Sequence, residues 1–198
     1  MRIATWNLEA KGTRAHQAFL DDLNADVLLL TEVPPGLAVD ARSKGTMSQG
    51  QHFAALRGVT GSDHPAEATA CGASAAVTYL SSVLPWRSLG GSQAERTLAW
   101  LSVIDGAWPE GPVVWGGDWN HELRGRLWVG CREGQAAILD LLERRELQCP
   151  TVELQTRKGD RSINHIALPR TWAVTSAEQV LCHGLSDHDA VVVECAPG

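Results

Sequence analysis

The stretch Val113-Val114-Trp115-Gly116-Gly117-Asp118-Trp119-Asn120 is an apolar run that stops at two glycines and then presents a carboxylate and a carboxamide two residues apart. Its β-branched and aromatic side chains suit an interior strand, and the paired glycines let the backbone turn or approach a ligand closely. Any fold for this chain must therefore bring a buried strand to an edge where polar groups are tolerated. If the chain stays extended, alternation along the strand puts Asp118 and Asn120 on one face. Two such groups can serve a metal-bound water and a phosphate oxygen, one as proton acceptor or ligand and the other as neutral donor. The competing reading is a turn, since Asp and Asn side chains commonly bond their own backbone two residues on.

The same pattern, an apolar strand ending in a polar group, recurs along the chain. Residues 3–6 read as a first strand that ends at Asn7. Thr13 then caps a helix with Ala15, Phe19, Leu20 and Leu23 at helical spacing, closed by Asn24. Val27-Leu28-Leu29-Leu30 is apolar on both faces, as in a strand covered on both sides, and runs into Glu32 before Pro34-Pro35 breaks it. A carboxylate at the end of an interior strand needs a cation or a hydrogen-bond network. Residues 52–56 and the segment 70–84, which holds the single tyrosine Tyr79, also have strand character. Ser92 to Glu95 has the spacing of a capping box and starts a helix running to about Ile104. Arg96 falls in its first turn, where a cation opposes the helix dipole, which suits either an anionic partner or a surface ion pair. After Asn120 comes a polar loop, His121-Glu122-Leu123-Arg124-Gly125-Arg126, and then a helix over about 133–145. Residues 161–168 form a strand carrying Arg161 and Asn164 among apolar groups, and Ser186-Asp187-His188 precedes a final strand at 190–193.

Composition sets the outer limits. The 198 residues fit one domain, 1–198, and 44% hydrophobic with 20% charged residues is a globular balance. The net charge of -6 argues against a broad basic face but leaves room for a local one, because a bound divalent cation adds positive charge where acids cluster. The five cysteines show no metal-clip spacing and read as small apolar residues in a reducing compartment. With no apolar leader and no run of membrane-spanning length, the expectation is a cytoplasmic protein without membrane association.

Taken in order, T-W-N-L at residues 5 to 8, L-L-T-E at 29 to 32, G-G-D-W-N at 116 to 120, I-N-H-I at 163 to 166 and S-D-H at 186 to 188 resemble the motifs of the metal-dependent endonuclease/exonuclease/phosphatase superfamily. The match is spread over nearly the whole chain. The resemblance implies an α/β fold, a four-layer α/β/β/α sandwich of two stacked, mostly antiparallel sheets flanked by helices, with a site at one mouth. It implies a divalent-metal-dependent phosphoesterase that hydrolyses a phosphodiester, a nuclease acting on DNA or RNA as a monomer. A phosphomonoesterase on a small metabolite or inositol phosphate, or a weakly active binding protein, is the alternative. Glu32 then holds Mg²⁺ or Mn²⁺, with Asn7 and Asp187 around the metal or its waters. Asp118 orients or deprotonates the attacking water, Asn120 donates to the phosphate, and His188 sits across the scissile bond. Two departures stand out: Asn164 occupies the position where most members have an Asp that braces the histidine, and Thr78-Tyr79-Leu80 replaces a Thr-His-Leu strand, which makes Tyr79 a candidate phosphate donor. Arg96, His121, Arg124 and Arg161, together with Arg126, are candidates for a phosphate track.

Overall fold

A computed structural model of the chain describes residues 1–87, 91–125, 127–155 and 161–198. Among them the strands form two six-stranded sheets. The first runs in the order β11 (Ala173–Val180), β12 (Ala190–Ala196), β1 (Arg2–Asn7), β2 (Val27–Val33), β4 (His52–Arg57) and β3 (Ala41–Arg42). The second runs β5 (Thr60–Ser62), β6 (Thr69–Ser74), β7 (Val77–Val83), β8 (Val113–Asp118), β10 (Asn164–Pro169) and β9 (Leu147–Gln148).

Neighbours are antiparallel except for one central pair in each sheet, β1 with β2 and β7 with β8. Parallel neighbours need a crossover, and a helix provides it each time: α1 (Arg14–Asp22) between β1 and β2, and α2 (Gln93–Gly106) between β7 and β8. These two units send the carboxyl ends of four strands to one mouth. The antiparallel β10 and β12 arrive there by their amino ends, which is how residues far apart in sequence, Asn7, Glu32, Asp118, Asn164 and the segment before Ala190, come to share an edge.

Three apolar layers hold the sandwich. Ile3, Leu29, Leu56, Tyr79, Val114, Ile166 and Val191 fill the space between the sheets. Ala4, Trp6, Leu28 and Leu30, of opposite parity on the same strands, face α1 through Leu20 and Leu23. Val113, Trp115 and Ala167 face α2 and α3 (Arg132–Arg144) through Leu101, Ile104, Ile138 and Leu141. Full burial of an aliphatic side chain contributes roughly 1.5–3 kcal/mol each, so the period-2 pattern fixes which face of each strand looks inward. Gly116 lies on that inward face, where a Cβ would come 2.7 Å from Leu29 Cδ1 and 2.6 Å from the His165 carbonyl oxygen. Gly117, at φ 126°, would place a Cβ 2.2 Å from the Ser82 carbonyl oxygen. The glycine pair thus serves close approach between strands and sheets.

Several local expectations change. Thr13 stands at the N-cap of α1, but its hydroxyl bonds His16 Nδ1 (2.8 Å) and leaves the helix N–H groups alone. The buried residues of α1 include His16, while Ala15 is exposed. Residues 70–84 hold two strands, β6 and β7, and the edge strand β11 had no reading in the sequence. The Ser92 cap accepts from Glu95 N–H as its spacing predicts. No helix among the described residues is long and apolar enough to cross a membrane.

Candidate active site

Asp118 ends β8 on the same parity as Val114 and Gly116, so it points between the sheets and is 2% exposed. A carboxylate so buried needs donors. It has two: its Oδ1 accepts from Asn120 N–H (3.1 Å) and its Oδ2 from Asn7 Nδ2 (2.9 Å). Asn7 reaches it because Ile3, Thr5 and Asn7 share the inward face of β1. The other hydrogen of the same amide donates to Glu32 Oε1 (3.0 Å). One carboxamide therefore clamps two carboxylates, whose oxygens can be no more than about 6 Å apart.

Glu32 gets there by breaking the strand pattern. Its parity on β2 would turn it toward α1 with Leu28 and Leu30. It adopts φ 49°, in the left-handed region that a non-glycine residue rarely occupies, and the pairing of β2 with β4 skips it, passing from Thr31 beside Ala54 to Val33 beside His52. Such strain costs of order 1–3 kcal/mol and persists only where surrounding structure over-determines it. Burial holds the Glu32 carboxyl above its usual range, and the neighbouring Asp118 adds to the rise, while the Asn7 bond and His188 oppose it.

Asn120 also has a positive φ, 51°, so the chain turns directly after Asp118. The turn, with Asp118 capping Asn120 N–H, replaces the extended geometry expected from alternation. It sends Asn120 Nδ2 to the Leu84 carbonyl (3.0 Å) at the end of β7. The Asp/Asn turn and the gathering of both side chains at the mouth are thus the same feature.

Across the mouth, Asn164 is the register partner of Asp118, and its carboxamide nitrogen stands 2.8 Å from His188 Nδ1. The carboxamide can meet this nitrogen with either end, Nδ2–H donating to a bare Nδ1 or, turned by half a turn, Oδ1 accepting from Nδ1–H. A carboxylate could only accept. His188 Nε2 lies 3.7 Å from Asp187 Oδ1, and Asp187 N–H donates to Glu9 Oε2 (3.0 Å).

The loop bearing Asp187 and His188 is pinned by residues that sequence reasoning passed over. Ser186 Oγ donates to the Asn7 carbonyl (2.7 Å) and accepts from His188 N–H (3.1 Å). Trp6 Nε1 donates to the His188 carbonyl (2.8 Å), the Trp6 ring stacks on His16, and His16 Nε2 donates to the Leu185 carbonyl (2.9 Å). Trp6 and Ser186 lay inside recognisable motifs, but their support role had no signal; His16 had none of either kind.

Other expected site residues make different contacts. Tyr79 sits in the core between the sheets, level with Val114, and its hydroxyl bonds Met1 Sδ (3.2 Å) at the end of the sandwich opposite the mouth. Burial pushes its pKa up to about 12. The β7 residue level with Asp118 is Val83, four positions on, so this strand presents an apolar side chain there. His121 is fully buried behind Trp119, with Nδ1 donating to the Trp119 carbonyl (2.8 Å). Arg96 donates to the Trp86 carbonyl (3.0 Å), and Arg124 and Arg161 both pair with Glu153. Arg126 lies outside the described residues.

No protein-family profile and no curated protein sequence matches the chain. Solved structures do. The endonuclease domain of TRAS1, a telomere-specific non-LTR retrotransposon, superposes at a TM-score of 0.65 with 15% identity, covering 98% of this chain and 97% of that one. An endonuclease/exonuclease/phosphatase protein from Beutenbergia cavernae gives 0.69 at 14% identity, covering 100% of this chain and 72% of the other. Two mixed sheets flanked by helices, matched over essentially the full chain, give this protein the fold of the endonuclease/exonuclease/phosphatase proteins.

Proposed function

We propose that the protein is a divalent-metal-dependent phosphodiesterase, a nuclease acting on DNA or RNA. The observation that carries this reading is the Asn7 amide bonded to both Glu32 and Asp118, facing the Asn164–His188 pair across one mouth. The TRAS1 domain named an endonuclease supports it by analogy of fold.

The donor set suits a hard cation. Among the described residues no three His, Cys, Asp or Glu side chains converge as a protein-only metal cage. Mg²⁺ does not need one, since it keeps several waters and takes one or two carboxylates together with substrate phosphate. Glu32, partly desolvated beside Asp118, is the carboxylate whose charge such an ion relieves, with Asn7 and Asp187 bordering the same space. When bound, the ion supplies Lewis-acid charge stabilisation at the phosphoryl oxygens.

The chain's own groups do the rest. Asp118, held by two donors, keeps its carboxylate directed and accepts the proton of the attacking water. Asn120 donates to a non-bridging oxygen, and His188, set by Asn164, meets the charge that develops on the opposite side. An oxygen–phosphorus bond forms as the ester bond opposite it breaks, the leaving oxygen takes a proton from solvent water, and Asp118 returns its proton to solvent. A panel of single-stranded and duplex DNA, RNA, abasic DNA and small phosphoesters, each with Mg²⁺ and with Mn²⁺, tests the reading. Cleavage of a polynucleotide is expected. Turnover of phosphomonoesters alone would replace nuclease with phosphatase, and inertness on every substrate would leave a binding protein.

A further inference from the structure

Beside the mouth lies a cleft of about 640 Å³ lined by Arg87, Leu127, Cys131 and Arg132. One wall continues from β7: Arg87 is three residues beyond Leu84, whose carbonyl holds Asn120, so its Cα lies within about 11 Å of Leu84's by chain reach. The other wall carries Leu127, Cys131 and Arg132, which follow Asn120 in the chain and lead into α3.

Two features set this cleft apart. Most arginines described are committed to carboxylates or carbonyls: Arg2 to Glu178 and Glu194, Arg57 to Asp21, Arg124 and Arg161 to Glu153, Arg144 and Arg145 to Asp105, Arg170 to Glu143. Arg87 and Arg132 are exposed and form no ion pair among the described residues, not even with Glu133 in the first turn of α3. Trp128, the chain neighbour of the lining residue Leu127, is 65% exposed, and its N–H donates to Glu122 Oε2 (3.0 Å) while Glu122 N–H donates to the Val129 carbonyl (3.3 Å). A tryptophan exposed to this degree offers apolar surface to a base.

We infer that this cleft is the track for the polynucleotide strand flanking the scissile phosphate, with Arg87 and Arg132 taking backbone phosphate and Trp128 stacking a base. The inference rests on the nuclease reading above and names its substrate contacts. At a net charge of -6, with Glu32, Asp118 and Asp187 at the mouth, the long-range field repels a polyanion. Affinity has to come from local cations and from stacking, which is indifferent to sequence because every base has a π-face. A small phosphoester, filling only the mouth, would reach neither.

The test measures binding of a fluorescent single-stranded DNA oligonucleotide in EDTA by anisotropy across a salt series. In parallel, kcat/KM with Mn²⁺ is compared for the oligonucleotide and for bis(p-nitrophenyl) phosphate, a small diester. Removing both arginines (Arg87→Ala with Arg132→Ala) is expected to lower the salt slope by about 1.4 and weaken binding at least tenfold, each phosphate contact on a single strand contributing about 0.7 to the slope. Arg87→Lys with Arg132→Lys retains the slope. Trp128→Ala weakens binding at least five-fold with the slope unchanged, and each alanine variant lowers the oligonucleotide-to-diester ratio of kcat/KM. If the parent binds the oligonucleotide and the arginine variant keeps its slope and affinity, the track lies elsewhere and the nuclease reading survives. If the parent turns over the diester but neither binds nor cleaves the oligonucleotide, the nuclease reading fails and the track with it.

Discussion

Two polar clusters lie on either side of Trp119, and from residue types alone the inner one looks the more reactive. Behind the tryptophan, His121, His165, Cys131, Cys149 and Thr151 gather within the layer beneath α3. In front, at the mouth, are amides, carboxylates and one histidine. The inner cluster is closed on itself: His165 Nε2 donates to the His121 carbonyl (3.0 Å), His121 Nδ1 to the Trp119 carbonyl, and Trp119 stacks on Trp115 at 4.0 Å. Burial lowers the pKa of both histidines, His165 to about 4, and pushes the Cys149 thiol up to about 11. Burial thus favours the neutral forms of both histidines and of the Cys149 thiol, and the backbone answers the two histidine donors. At the mouth, by contrast, two carboxylates share one amide, Glu32 sits on a strained backbone, and the buried Asn164 Oδ1 has no partner. Reactivity follows from charge held near an opening with acceptors to spare, and the presence of histidine and cysteine does not by itself supply it.

The largest effect that this contrast predicts is at Glu32. Glu32→Ala abolishes phosphodiester hydrolysis while circular dichroism of the metal-free protein stays that of the parent, because a half-buried carboxylate at a strand end fills no core volume. Next come Asp118→Ala and Asn120→Ala, each expected to cost about 2–4 kcal/mol of transition-state stabilisation, read as a fall in kcat of about 10²–10³. Near-parent rates in both would reduce the pair to a structural turn.

How far these residues were legible in the sequence follows from what sequence can encode. The motif order and the apolar runs around Leu29, Val114 and Val191 showed which strands would be interior, and the polar residue ending each run showed where the mouth would be. The conformations at that mouth were not legible. Left-handed φ values at Glu32 and Asn120 break the alternation used to place side chains, and nothing in a Glu or Asn announces them. Tyr79 was assigned four positions too early on β7, because only the pairing with β8 reveals that Val83 is the residue level with Asp118. Whether a guanidinium is ion-paired was not legible either, because it depends on where the fold brings carboxylates such as Glu153, which pairs with both Arg124 and Arg161.

Gly134→Ala attacks the inner cluster directly. A Cβ there would meet His121 Nε2 at 2.2 Å, and forcing extra volume into such a site costs typically about 1–3 kcal/mol. Chemical denaturation should show that loss, with kcat per folded molecule close to the parent's; a fall in kcat matching that of Asp118→Ala would mean the two clusters act as one.

The inner histidine also leaves a pH signature. With its folded pKa lowered from 6.5 to about 4, His165 stays neutral in the native state while the unfolded chain takes up a proton, so stability falls as pH drops from about 6.5 toward 4. The slope this one group can add is at most about 1.4 kcal/mol per pH unit. His165→Gln should flatten the denaturation midpoint over that window; an unchanged slope would show that the ring is not kept neutral by burial.

The smallest change is expected from Asn164→Asp. A carboxylate can only accept from Nδ1–H and favours the charged ring, so the pH–rate profile should extend to higher pH with a gain of a few fold near neutrality. A fall in rate across the whole profile would mean that added negative charge at the mouth outweighs support of His188.

The claim beneath all of these is that Glu32, clamped beside Asp118 by Asn7, is the carboxylate that holds the divalent ion. Calorimetric titration of Mn²⁺ into the parent and into Glu32→Ala measures it most directly. The account predicts a saturable heat in the parent and none in the variant; undiminished binding in Glu32→Ala would contradict it.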